Sequence, residues 1–266
     1  MKNRLLFTFI MFAGSLLSCH KDNFPYPQDS NYPTVINQLN SSALTQLKAS
    51  FVQQNKFLQS SLNKFGYCDM EEINNSVESP PVSSLLTQSE VVAIVNSFVS
   101  ANSSVTGVKN PADLKFSSIS TDSGYWDGAT YWYFRTTNQH IDTIEVMYSQ
   151  ILFHVKNHEL VYCAGNWYPN VYIPAKFNLS TDQAKSSLLN KIVWHSTIAG
   201  VPYSATITSA SLAASTTHLV VLPVITDTKI ELRVTWQINI PMPVYYLMYV
   251  DVMTGELIGQ EETIIS

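Results

Sequence analysis

One local pattern opens two separate stretches of this chain, and it constrains the fold more than any other feature of the sequence. Leu86-Thr87-Gln88-Ser89-Glu90-Val91 begins one apolar segment, and Leu179-Ser180-Thr181-Asp182-Gln183-Ala184 begins another. Each places Thr or Ser three residues before Glu or Gln. This is the capping box, in which the two side chains satisfy orphan amides at a helix start. Val91, Val92, Ile94, Val95, Phe98 and Val99 give the first helix a wide apolar face, and Ala184, Leu188, Leu189, Ile192 and Val193 do the same for the second. After each helix the period changes to two. Segments 129–135, 141–148, 149–156 and 159–164 follow the first helix, and segments 201–208, 217–224, 229–240, 243–252 and 255–261 follow the second. Their Val, Ile, Thr and aromatic content predicts strands joined by short turns. Strands in succession, without interleaved helices, pair antiparallel. The expected class is therefore α+β, with two tandem modules over 86–172 and 173–266, each a helix packed on an antiparallel β-sheet.

Upstream, residues 38–85 read as one amphipathic helix and a linker. Leu44, Leu47, Phe51, Leu58, Leu62 and Phe65 recur at three-, four- and seven-residue steps. Ser41 or Ser42 can cap the start, and Gly66 suits the left-handed position at the end. Residues 69–85 are polar and include Pro80-Pro81, so they read as the linker. Residues 19–37 read as a tether, since Pro25, Pro27 and Pro33 interrupt any regular element. Tyr26 and Tyr32 lie among the prolines and allow part of the tether to dock.

The first nineteen residues set the expected compartment. Lys2 and Arg4 precede an uncharged apolar run from Leu5 to Leu17, then Ser18 and Cys19. The run has the length of a signal-peptide core and is too short to span a bilayer as a helix. Leu16-Leu17-Ser18-Cys19 resembles the bacterial lipobox, in which the cysteine is acylated and becomes the new N-terminus. That resemblance implies a signal peptide over 1–18, a lipid anchor at Cys19, and a location in the cell envelope on a bacterial membrane, periplasmic or outer-surface. Loss of Lys2 and Arg4 with the leader takes the formal net charge from −5 to −7. No run of Lys or Arg occurs, so no nucleic-acid partner is expected. Cys68 and Cys163 are the remaining cysteines. An oxidising envelope allows a bridge between them, and two buried free thiols are the alternative.

Two further groups of residues point to families. Val146-Met147-Tyr148-Ser149-Gln150-Ile151-Leu152-Phe153-His154-Val155, with Asn157 and then Gly165-Asn166-Trp167-Tyr168-Pro169, resembles the fungalysin/thermolysin propeptide module. The capped helix at Ser180, the strand Leu232-Arg233-Val234-Thr235-Trp236-Gln237-Ile238-Asn239-Ile240 and the hairpin Tyr249-Val250-Asp251-Val252-Met253-Thr254-Gly255-Glu256-Leu257-Ile258 resemble the PepSY domain. In the hairpin, Asp251 can accept from turn amides and Gly255 can supply the positive φ that restarts the strand. His158 stands after Asn157 where the propeptide family usually has Gly, which leaves the turn type there open. These modules normally precede a zinc protease domain. This chain is expected to lack one, because no His-Glu-x-x-His occurs in it.

The sequence offers no nucleophile elbow and no phosphate loop, so no catalytic residue, metal or cofactor is assigned. His154 and His158 are four apart, a metal-binding spacing only on a helix, and they fall on a strand and its turn, which points them to different places; the plain reading is a solvated histidine and no metal site. The candidate partner-binding residues are aromatic. On a strand, Tyr131 and Tyr133 share one face, while Trp132 and Phe134 share the other. One face must cover the helix after Thr87. The other is either buried under the second module or open to a partner, and Trp167 and Tyr168 carry the same two readings. The resemblance implies a non-catalytic envelope lipoprotein that binds another protein, inhibiting or chaperoning a secreted zinc protease. The alternative is a surface ligand-binding lipoprotein using an aromatic face for glycans or peptides.

Overall fold

The computed structural model describes residues 31–69, 85–123, 130–196, 202–242 and 245–262. The leader, Cys19 and the Pro-Pro linker lie outside the described residues. The class is the expected one, α+β, with helices packed on antiparallel sheets.

The first helix is shorter than its apolar spacing implies. Helix α1 spans Ser41–Gln54, capped not by Ser41 or Ser42 but by Asn40, whose side chain accepts from the Ala43 amide at 2.8 Å. It ends because Asn55 turns its side-chain amide back onto the Phe51 carbonyl at 2.9 Å, a local bond that competes with helix propagation. Leu58 and Leu62 are buried as expected, yet outside the helix. Ser61–Leu62 forms strand β2, paired with β3 (Cys68–Asp69). Gly66 has φ +85, as its composition suggested, but in this hairpin turn.

In the first module, α2 (Gln88–Ala101) begins with the predicted box. The Glu90 amide donates to the Thr87 hydroxyl at 3.4 Å, and the Thr87 amide donates to the Glu90 carboxylate at 2.8 Å. Those bonds from Thr87 hold the Glu90 carboxyl below its usual range. Val91, Val95, Phe98 and Val99 are buried. A short helix α3 (Ser103–Thr106) follows. The helix packs on a four-stranded antiparallel sheet, in the order β4 (Phe116–Ser123), β5 (Thr130–Thr136), β8 (Ile151–Lys156), β9 (Glu159–Gly165). Phe134, Ile151, Phe153, Val155, Leu160 and Cys163 face the helix. Strand β4 escaped sequence reading because its two core-packing residues, Phe116 and Ile119, are put out of alternating step by a register shift after Phe116, and the rest of the segment is Ser, Thr and Asp.

The segment 141–148 is not one strand. It contributes to the hairpin β6 (Gln139–Ile141) and β7 (Ile144–Val146), turning at Asp142 with φ +53. This hairpin leaves the first sheet. Strand β7 pairs in parallel with β12 (Thr216–Ile225), joining the second sheet, whose order is β15 (Leu257–Glu262), β14 (Tyr246–Asp251), β13 (Lys229–Ile240), β12, β7, β6. The expected tether also ends sooner than residue 37. Tyr32 is buried, its hydroxyl accepting from the Val234 amide at 2.8 Å, and β1 (Thr34–Asn37) pairs antiparallel with β13 from Thr34↔Leu232 to Asn37↔Lys229. Tyr32, Tyr67, Val146, Tyr168, Val221, Leu232 and Val252 share one core, so residues from both sides of position 172 are packed together.

In the second module, Ser180 and Gln183 form the expected box around α4 (Thr181–Ser187). The helix stops short of Ile192 and Val193. The chain turns at Asn190, with φ +64, and enters β10 (Ile192–Ser196), which pairs with β11 (Pro202–Thr206) ahead of helix α5 (Ser209–Ala213). Strand alternation then reverses part of the expected core. Val193 is buried, while Leu189 is 44% and Ile192 61% exposed. Leu188 is fully buried among Ala184, Ile207, Ile238 and Met248. Leu188→Ala should therefore cost about 2–5 kcal/mol in urea melts. Ile192→Ala should cost less than about 0.5 kcal/mol, as for other exposed sites. Equal losses would place Ile192 in the core after all.

The last hairpin forms as its residues dictate. One Asp251 carboxylate oxygen accepts from the Met253 amide at 2.7 Å and the Thr254 amide at 3.0 Å, and Gly255 has φ +73. Trp236 ties the sheet to the entry of α4, its indole N–H donating to the Leu179 carbonyl at 2.9 Å.

Candidate binding face

The outer face of the first sheet collects the aromatic residues that the core does not use. Alternation along β5 sends Trp132 and Phe134 toward α2, which leaves Tyr131 and Tyr133 on the opposite face, half-buried. Register places Tyr133 opposite His154 of β8, and His154 opposite Tyr162 of β9. The four rings make a continuous row. Tyr131 stacks near Tyr133 with centroids 6.2 Å apart. Tyr133 meets His154 edge-on at 4.6 Å, and His154 stacks on Tyr162 at 4.4 Å and 21°. Such pairs stabilise a sheet across its strands, in the manner of other aromatic cross-strand neighbours. Lys156 places its ammonium 5.1 Å from the Tyr131 ring centre, a cation–π distance.

The electrostatics of this row are simple. Burial holds the His154 imidazole below its usual value, so the ring is neutral at pH 7, and burial pushes the Tyr162 hydroxyl up. The face therefore offers neutral rings with one cation at its end. Beside it runs β4, whose Ser120 and Asp122 stand opposite Tyr133 and Tyr131 and are exposed. Among the described strands β4 pairs only with β5, so it forms an edge of the sheet.

Of the four aromatic residues expected to meet a partner, the structure brings two to this face and buries two elsewhere. Trp167 is 6% exposed and belongs to the core under α2. Tyr168 is 1% exposed, packs edge-on against Tyr67 at 6.0 Å, and is held by Gln139, whose side chain takes its amide at 3.0 Å and its carbonyl at 2.8 Å. Tyr168 lies in the core shared by the two modules and Trp167 in the core of the first; neither is displayed. His154 is a correction of the opposite kind. It lies on a strand, as expected, but half-buried at the centre of the aromatic row and not solvated, and the alternation Leu152, His154, Lys156 along β8 was the signal. His158 is in the turn, where Asn157 and His158 both take positive φ, +49° and +68°. This is the two-residue arrangement of a type I′ hairpin, with His158 accepting the conformation that Gly would hold more easily.

Cys68 and Cys163 come together, one on β3 and one on β9. They are buried free thiols, not a bridge, and burial first, with Cys68 adding to it, raises the Cys163 thiol well above its usual value. Among the described residues no three His, Cys, Asp or Glu side chains are grouped as metal ligands, and no single helix is long and apolar enough to cross a membrane.

No protein-family model matches the chain, and no curated protein matches it. Among solved structures, the Bacillus megaterium YpeB C-terminal domain matches with a TM-score of 0.31 at 10% identity, over 86% of this chain and 99% of that one.

Proposed function

We propose that this chain is a non-catalytic envelope lipoprotein, anchored through Cys19, that binds an extended segment of another envelope protein. The observation that carries this reading is the row Tyr131–Tyr133–His154–Tyr162 lying beside the edge strand β4. An edge can accept an added strand through main-chain hydrogen bonds, and the neighbouring rings can select its side chains. Tyr is favoured at such interfaces because it supplies a large contact at low entropic cost. The propeptide-like and PepSY-like motifs supply the partner class, a secreted zinc protease that the chain inhibits or chaperones.

The test is binding of the purified chain to a zinc protease encoded beside it. Micromolar or tighter binding is expected. Tyr131→Ala together with Tyr133→Ala should weaken it about tenfold or more, on the scale of interface hot spots, with the melting transition retained. A substrate turned over by the pure protein, with activity lost on a point mutation that spares folding, would overturn the non-catalytic reading. A second reading rests on the same row, because flat rings in a line also suit the apolar faces of sugars. Binding to a glycan array, with no protein bound from envelope extract, would establish that one instead.

A further inference from the structure

The hairpin β10–β11 carries an apolar surface that neither core absorbs. Trp194 is 65% exposed, Ile192 61% and Leu189 44%. Ile192 and Trp194 share one face by alternation, since Val193 between them is buried. The hairpin is nevertheless held firmly from behind. Val193 and Ile207 belong to the second core, and the Tyr246 hydroxyl donates to the Trp194 carbonyl. No Asp, Glu, Lys or Arg occurs between Lys191 and Asp227, in a chain that is acidic overall.

We infer that this face seats on the lipid surface to which the chain is anchored. The inference rests on the reading of Cys19 as a lipid anchor. Eleven residues, twelve Cα-to-Cα steps, separate Cys19 from Asn31, the first described residue. Fully extended they reach about 40 Å. Strand β1 lies against the Leu232 end of β13, while Tyr246, which holds β10, lies opposite Ile240. The eight steps from Leu232 to Ile240 span about 27 Å. The tether is thus long enough for Cys19 to sit in the bilayer while β10 rests on it. Anchoring makes that second contact intramolecular, and stable membrane attachment generally takes two such signals. The chemistry fits a lipid interface. Trp is favoured at the headgroup level, Lys191 can extend its ammonium to the phosphates, and the hairpin brings no carboxylate toward an anionic surface.

The experiment uses the full chain and its Cys19→Ser variant with vesicles of phosphatidylcholine and phosphatidylglycerol, plain or with brominated acyl chains. Brominated lipid should quench the tryptophan emission of vesicle-bound protein. Trp194→Phe should remove most of the quenched component, although four other tryptophans remain. Ile192→Ser should lower the vesicle affinity of the Cys19→Ser chain about fivefold or more. Equal fractional quenching with and without Trp194, or none in the wild-type chain, would overturn the docking. So would a Trp194 that lipid leaves unquenched while a protein partner shields it. Flotation reads the anchor separately. Equal flotation of the full chain and Cys19→Ser would end the anchor reading, and Trp194 quenching would still decide the docking.

Discussion

Gly107→Ala should destabilise the protein by about 4 kcal/mol or more, a loss reserved for backbone strain and steric collision in a packed core. Gly107 closes α3 with φ +76, and a Cβ there would lie 1.6 Å from the Trp167 carbonyl oxygen. Neither side of that collision can yield. The Trp167 ring is in the core beneath α2, and Tyr168, next along the chain, is clamped by Gln139. Gly165→Ala should behave alike, because φ is +128 and a Cβ would meet the Gln150 carbonyl oxygen at 2.1 Å. Gly259 provides the contrast. Its nearest neighbours are side-chain atoms, the tip of Leu222 at 3.0 Å and the near edge of the Tyr249 ring at 3.2 Å, which need give by only a few tenths of an ångström, and its φ is not positive, so Gly259→Ala should cost about 1–2 kcal/mol, well below the other two. Urea unfolding of the three variants tests this. A Gly107→Ala midpoint near that of Gly259→Ala would mean that the corner between α3 and β9 relaxes freely.

What the sequence disclosed divides by the range of the interaction. Capping boxes are local, so the starts of α2 and α4 were readable from four residues each. The Asp251–Gly255 turn was readable for the same reason. Helix ends were less so. The apolar steps from Leu44 continue numerically through Leu62, but Asn55 ends the helix with a side-chain bond that competes with a periodic pattern and leaves no trace in it. Asn102 does the same at the end of α2, taking the Phe98 carbonyl at 2.9 Å, and the two asparagines hydrogen-bond each other at 3.1 Å. Pairing across long separations was invisible. Nothing local says that β7 lies parallel to β12, or that residues expected in a tether complete β13.

The candidate site shows the same division. Alternation on β5 assigned Tyr131 and Tyr133 to one face and Trp132 and Phe134 to the other. It could not say which face α2 covers without the identity of the residues on β8 and β9 opposite them. Once β8 and β9 are placed, Phe153, Val155 and Cys163 fix the inner face, and His154 and Tyr162 fall beside the tyrosines. Trp167 and Tyr168 misled because a large aromatic after a strand reads equally well as an anchor for a partner or for another part of the same chain. Here the second applies. Trp167 packs under α2, and Tyr168 packs against Tyr67.

Asp251→Ala should cost about 3–5 kcal/mol, the loss that follows when one partner of a buried charged pair is removed. The carboxylate is fully buried and has three donors. One oxygen serves the Met253 and Thr254 amides, and the other accepts from Arg233 at 3.2 Å. Arg233 retains Glu231 at 2.7 Å, so the larger part of the loss falls on the two amides, of which Met253 is buried. That turn also secures its neighbours. The Val252 carbonyl accepts from the Asn178 and Leu179 amides at 3.1 and 3.0 Å, which places the entry to α4. Asp251→Asn separates the two roles. It keeps an oxygen for the amides but can turn a donor toward the guanidinium, and should cost about 1–3 kcal/mol. A second readout reports the docked N-terminal arm. Burial first, and the Asp251 charge second, raise the Tyr32 hydroxyl far above its usual value. Removing Asp251 should therefore lower the Tyr32 titration while leaving it above that of a free tyrosine. A loss below about 1 kcal/mol, with the Tyr32 titration unmoved, would show that the carboxylate organises neither the turn nor the arm docked beside it.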